Sequence, residues 1–266
     1  MGALFGTGSW TDDAYVGRLY PHGTPAKARL RQYAEQFDFV EVNSTYYATP
    51  KREVVASWVE QTRPGFLFHL KLHRTVAQSP FKAATEGKAV DRLLAAAQPV
   101  IKAKRLGAFL LVLPPMFGPE RHRLDELIPL ADKLSDFPLA IELRHRGWVD
   151  GPRRRRETLD FFREHELVWV AVDMPQIAES TIMPPLDEVT HPHLAYLRLH
   201  GRNRRWLKAK SAAERHLHDY TSVQLTALRR RIGKLEKHAD TVFVVANNHA
   251  RDFAPKTALA LKNHRR

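Results

Sequence analysis

Ten polar side chains, eight of them able to carry charge or transfer protons, stand at the ends of six short apolar runs. They are Glu41 and Asn43 in FDFVEVN, His69 and Lys71 in FLFHLKL, Glu142 and Arg144 in PLAIELRH, Asp173 in LVWVAVD, Arg198 and His200 in LAYLRLHG, and Asn247 in TVFVVANN. Members of one run lie two residues apart, which on an extended strand puts them on the same face. Three chemistries fit this set. Glu41 and Glu142, facing one cavity, can divide into general base and general acid when their surroundings push their pKa values apart, as in glycoside hydrolysis; Asp173 can replace either. Glu142, Asp173, His200 and Glu41 make an oxygen and nitrogen donor set for divalent Mn, Mg or Zn, although Arg144 and Arg198 oppose a cation there. Lys71, Arg144, Arg198 and Arg202 make a clamp for phosphate or carboxylate oxygens, with His200 or His69 as proton carrier and Asn247 and Asn248 as neutral donors. The mixed charge fits the clamp best. Three carboxylates and three fixed cations could also cancel each other in a purely structural network.

The elements that must position these residues are legible as eight β-branched or aromatic runs, at 3–10, 37–43, 66–72, 107–115, 138–145, 167–173, 194–201 and 241–248. Most gaps between them carry helical periodicity, as in PKREVVASWVEQT, ATEGKAVDRLLAAAQPVIKAK and SVQLTALRRRIGKLEKHA. Eight such units in 266 residues predict an α/β fold, a single (β/α)8 TIM-like barrel of parallel strands spanning 1–266, over an open doubly wound sheet, which uses fewer strands. In a barrel, alternate strand residues point inward and the carboxyl ends of the strands carry the site. Parity then predicts Phe39, Glu41 and Asn43 inward, with His69 and Lys71, with Ala140, Glu142 and Arg144, with Trp169, Ala171 and Asp173, and with Tyr196, Arg198 and His200. Asn247 points inward at the last strand end, Asn248 opens the loop, and Trp10 at the first strand end is a candidate for the same mouth.

Composition limits the partners. Without cysteine, the chain has no disulfide, thiolate-ligated metal or thiol nucleophile. No apolar run is long enough to span a bilayer and no secretory leader pattern opens the sequence, so a cytoplasmic protein with no membrane partner is expected. A net charge of +13 favours anionic partners. Besides an anionic small-molecule substrate, nucleic acid is a candidate, through the arginine run Arg153 to Arg156 and through GRNRRWLKAK at 201–210, where Trp206 is placed to stack on a base or sugar.

Several stretches resemble the YecE-like family, known as domain of unknown function 72. These are GTGSW near the start, LYP at 19–21, EVNSTYY, PGFLFHLK, LVLPPMF, ELRHRGW, YLRLHGRN and ANNHARDFAPKTALAL. The resemblance runs through the whole chain in the family's order and implies a TIM-like barrel but no settled reaction. It implies functional weight at Glu41, Asn43, Lys71, Glu142, Arg144, His145, Trp148, Arg198, His200, Asn247 and Asn248. The chain departs from the family in reading GTGSW for GTSGW, in lacking a Thr-His pair near Ala77 and Gln78, and in Ala246. The expected function is an enzyme acting on a phosphate- or sugar-containing anion by acid/base or metal-assisted hydrolysis at the carboxyl face of the barrel. The alternative is a nucleic-acid-binding, nuclease or DNA-repair-like role.

Overall fold

The computed structural model describes residues 2–178 and 180–263. Eight parallel strands close into a barrel in sequence order: β1 (Ala3–Thr7), β2 (Phe39–Val42), β3 (Leu67–Lys71), β4 (Leu106–Val112), β5 (Leu139–Glu142), β6 (Val168–Asp173), β7 (Leu194–Leu199) and β8 (Thr241–Ala246), with β8 hydrogen-bonded to β1. Each of the eight expected runs holds one strand. The helices are α1 (Ala26–Gln36), α2 (Arg52–Gln61), α3 (Arg74–Gln78), α4 (Pro80–Thr85), α5 (Ala89–Lys102), α6 (Ile128–Lys133), α7 (Pro152–Glu164), α8 (Ala212–Arg215), α9 (Ser222–Leu235) and α10 (Phe253–Asn263).

Local sequence accounts for the helix ends and faces. In α5 the apolar residues Val90, Leu93, Ala97 and Val100 recur at three- and four-residue spacing and are buried against the barrel. Thr221 caps α9 by accepting from Gln224 N–H, and Gln224 answers with its own side chain. The gap between β6 and β7 has no helix among the described residues. Pro175, Pro184, Pro185 and Pro192 fall in it, and proline removes the N–H that a helical turn needs. The segment still packs inward through Ile182, Met183 and Leu186.

The barrel interior is layered, and its lower layer is aromatic. Phe39 stacks on His69 at 4.5 Å between ring centroids, Phe243 meets His69 edge-on at 4.4 Å, and Tyr196 packs on both. Glycine makes room at two levels. A Cβ on Gly107 would lie 2.3 Å from His69 Nε2, at a shift of register between β3 and β4. A Cβ on Gly8 would lie 2.5 Å from Asn43 Nδ2 and 2.7 Å from Asn247 Oδ1. Gly8 of GTGSW therefore admits the amide side chains of the upper layer, and Gly107 of β4 admits His69 in the lower one.

Strand parity holds for β2, β3, β5, β7 and β8 and is inverted for β6. Val170 and Val172 pair in register with Tyr196 and Arg198, so they face the lumen. Trp169 lies on the opposite face against Phe162 of α7, and Asp173 on that face reaches Arg231 of α9. Every residue of β6 is buried, so hydrophobic alternation carries no phase there, and the terminal carboxylate suggested the wrong one.

Candidate functional site

The site is organised from below by Arg198. β7 carries it into the lumen, where it is only 2% exposed, and β2 and β5 bring Glu41 and Glu142 to it, both fully buried. Its Nε donates to Glu41 Oε2 at 3.0 Å and its Nη2 to Glu41 Oε1 at 2.6 Å, a bidentate fork, while Nη1 donates to Glu142 Oε2. Tyr196, one turn of the strand pleat lower, donates to Glu41 Oε2 at 3.2 Å and lies 2.8 Å from His69 Nδ1. On the other side Asn247 Nδ2 donates to His200 Nδ1 at 3.1 Å, which places the imidazole proton on Nε2, and Nε2 donates to Glu142 Oε2 at 3.0 Å. Burial lowers the His200 pKa against the pull of Glu142, so the ring is neutral. Burial alone would raise the Glu142 carboxyl, but His200, Arg198 and Arg144 outweigh it and hold the group ionised well below the usual carboxylate range. With His200 neutral, the holding charge comes from the two arginines.

Above this floor a cup of about 300 Å³ opens at the carboxyl ends of the strands. Its lining includes Gly8, Asn43, Lys71, Val112, Arg144, Arg198, His200 and Asn247 from strand ends, and Ser9, Asp12, Tyr47, His216 and His249 from loops. Lys71 Nζ sits 4.5 Å above the Tyr46 ring. Burial, reinforced by the Arg198 charge, brings its ammonium down to about 8, although Glu41 and Glu142 pull the other way. Arg144 is partly exposed, with its Nε 3.4 Å from Glu142 Oε1. That oxygen and Asn43 Oδ1 are buried acceptors without a hydrogen-bond donor.

Two further histidines complete the wall, and the sequence reading missed both. His216 Nδ1 donates to the His200 carbonyl at 3.0 Å and His249 Nδ1 to the Asn247 carbonyl at 3.0 Å, so each neutral ring keeps a lone pair on Nε2. Their centroids are 4.4 Å apart. Burial, helped by His200 and His249, brings His216 down to about 2, and burial also lowers His249. His249 follows the paired asparagines directly, which was the available signal; His216 lies outside any strand and had none.

Several expected site residues stand elsewhere. Asp173 faces the helix layer, where Arg202 grips both its oxygens at 2.9 and 2.7 Å, Arg231 donates at 2.9 Å and Tyr220 at 2.8 Å. It and Arg202 border a different cavity, so neither belongs to the cup. Glu41 and Glu142 lie beneath the cup, where Arg198 occupies both oxygens of Glu41 and Tyr196 also donates to it. His69 is sealed in the aromatic layer, where burial alone brings it down to about 3. Trp10 packs edge-on against Trp58 of α2. His145 caps a turn by accepting from Gly147 N–H at 3.1 Å, and Asn248 donates to the His218 carbonyl and to Thr257 Oγ1.

The metal reading loses its ligands in the same way. The Asp173 carboxylate points to the opposite face of the sheet, Glu41 and Glu142 are held by Arg198, and no group of three or more His, Asp or Glu suited to a metal ion occurs among the described residues. In the basic segments, Arg153 and Arg155 pair with Glu157 and Glu188. Trp206 is buried against His200 and His216, so it offers no face to a nucleotide base. No helix among the described residues is long and apolar enough to cross a membrane.

The profile of the family described as "Protein of unknown function DUF72" matches residues 4–266. The chain belongs to the DUF72 family. It is 26% identical over 242 residues to UPF0759 protein YunF of Bacillus subtilis, covering 87% of this chain and 84% of that one. It is 37% identical to UPF0759 protein YecE of Escherichia coli K12 over 118 residues, 44% of this chain and 41% of the relative. Among solved structures, a DUF72 protein of Enterococcus faecalis V583 superposes with a TM-score of 0.86 at 29% identity, covering 98% of this chain and 94% of its own. A DUF72 protein of Thermotoga maritima also gives 0.86, at 26% identity and 99% coverage of both chains. The barrel is thus the DUF72 fold, and the cup lies where TIM barrels carry their sites.

Proposed function

We propose that this DUF72 protein is an enzyme that binds a small phosphate- or sugar-containing anion in the cup and acts on it by acid/base chemistry. The observation that carries the reading is the lining: among the described residues Lys71, Arg144 and Arg198 face the cup with Asp12 its one lining carboxylate, while Glu41 and Glu142 beneath it are taken up by Arg198. Arg198 is fixed by two buried carboxylates, which balance its charge and orient its guanidinium before a substrate arrives. Arg144 and Lys71 supply the donors nearer the mouth. The unpartnered acceptor Asn43 Oδ1 suits a hydroxyl group of a substrate.

In this reading His249 is the proton acceptor, its Nε2 lone pair left free because Nδ1 donates to the Asn247 carbonyl, and His216 packs beside it. Lys71, which titrates near neutrality, is the donor. Glu41 and Glu142 are positioning residues for Arg198 and His200. This replaces the carboxylate-pair hydrolysis expected from sequence, which needs two carboxylates open to the substrate. The reading is tested by proton NMR of ribose 5-phosphate and ribose mixed with the protein. Selective broadening of the phosphate ester, lost on Arg144→Met, is expected; equal broadening of both sugars, or of neither, would refute it.

A further inference from the structure

We infer that Lys71 is a nucleophilic amine that forms an imine with the carbonyl of a small anionic aldehyde or ketone. The inference rests on the anion-binding reading above and names both the substrate class and the reacting atom. Lys71 enters the cup from the end of β3 on a side chain that is only partly exposed. Among the described residues its Nζ has no carboxylate within ion-pair distance and rests on the Tyr46 ring. A lysine built only to bind an anion gains from a full, permanent charge, which Arg144 and Arg198 already provide beside it. A lysine that must attack carbon needs its lone pair, and burial of this one in the cup, aided by the Arg198 charge, favours release of the proton.

The groups facing it are Arg198 and Arg144, which disfavour its charge, Glu41 and Glu142 beneath, which favour it, and His249 across the cup, whose own protonation Lys71 opposes. The balance brings the ammonium to about 8. At pH 7.5 about a quarter of the lysine is then free base, against about 0.1% for an ordinary lysine. The free amine adds to the carbonyl carbon as the C=O electron pair moves to oxygen. The ammonium proton so formed passes to His249 Nε2 and from there to the alkoxide, giving the carbinolamine, whose hydroxyl then takes a second proton from solvent. The C–O bond breaks, water leaves, and the nitrogen lone pair closes the C=N bond. Arg144 and Arg198 hold the anionic end of the same molecule, so the carbonyl end is presented to Nζ within one small cup.

The test uses the whole protein with glycolaldehyde phosphate and cyanoborohydride, which reduces an imine to a stable secondary amine, followed by peptide mass mapping. Lys71 is expected to be modified at least about tenfold faster than any other lysine, with a rate that rises through pH 8. Excess 2-phosphoglycolate should protect it, and Lys71→Arg should abolish the selective modification. An even spread of adducts over surface lysines, or an unmodified Lys71, would overturn the proposal. Calorimetric binding of 2-phosphoglycolate to the same protein separates the two readings. If it binds while Lys71 stays unmodified, only the imine fails; if it does not bind and Lys71 is unmodified, the anion cup fails with it.

Discussion

Arg198 and Glu41 form a bidentate ion pair inside the barrel, at 3.0 and 2.6 Å, with almost no solvent on either partner. A buried pair of this kind adds little net stability, but breaking it leaves a bare charge in a low-dielectric site, which costs about 3 to 5 kcal/mol. Glu41→Gln should therefore lower the unfolding free energy measured in urea by about that amount. If the single variant is as stable as the parent, Glu41 is not the anchor described here.

Four neutral imidazoles give the fold an acid-side weakness. His69 is brought to about 3 and His216 to about 2, both by burial, from an ordinary value near 6.5. Their folded-state pKa is depressed, so the unfolded chain binds more protons. The stabilisation is complete above pH 6.5 and falls as pH drops below it. Each of these two histidines contributes a slope of about 1.4 kcal/mol per pH unit. Between pH 6 and pH 5 the unfolding free energy should fall by at least about 2 kcal/mol, and His69→Gln should remove about half of that slope. A flat profile over this interval would contradict the buried neutral state.

Gly8 tests how tightly the cup is assembled. Its missing Cβ is the space between Asn43 and Asn247, so Gly8→Ala must displace one amide. The displacement should cost about 1 to 3 kcal/mol of stability and weaken phosphate-ester binding at least about tenfold. Unchanged binding, measured by calorimetry, would show that these amides do not shape the site.

Asp173 supplies the contrasting case. Arg202, Arg231 and Tyr220 hold it in the helix layer. Asp173→Asn should destabilise the fold by about 3 kcal/mol and leave the affinity of the folded protein for anions within about twofold. A large loss of affinity at full folding would place Asp173 in the site after all.

The contrast between Asp173 and Glu142 marks where sequence reading works. In β2, β5 and β7 polar residues alternate with apolar ones, so the period-two rule alone puts Glu41, Glu142, Arg198 and His200 on the lumen face. In β6 both faces are buried and apolar, and nothing in VWVAVD distinguishes them. The rule also ends with the strands: His216 and His249 reach the cup from loops, and a loop residue's position depends on packing far away in sequence. Pairing was beyond it too. Parity could assemble carboxylates and cations around one axis, but not show that Arg198 takes up both oxygens of Glu41, which turns an expected acid/base pair into a support.

The central claim is that the cup is a pre-oriented anion site, and calorimetric titration of 2-phosphoglycolate at low salt tests it most directly. The account predicts one equivalent bound, an affinity that falls as salt rises, and at least about a tenfold loss in Arg144→Met with the fold intact. Absence of binding to the parent protein, or binding that Arg144→Met leaves untouched, would contradict it.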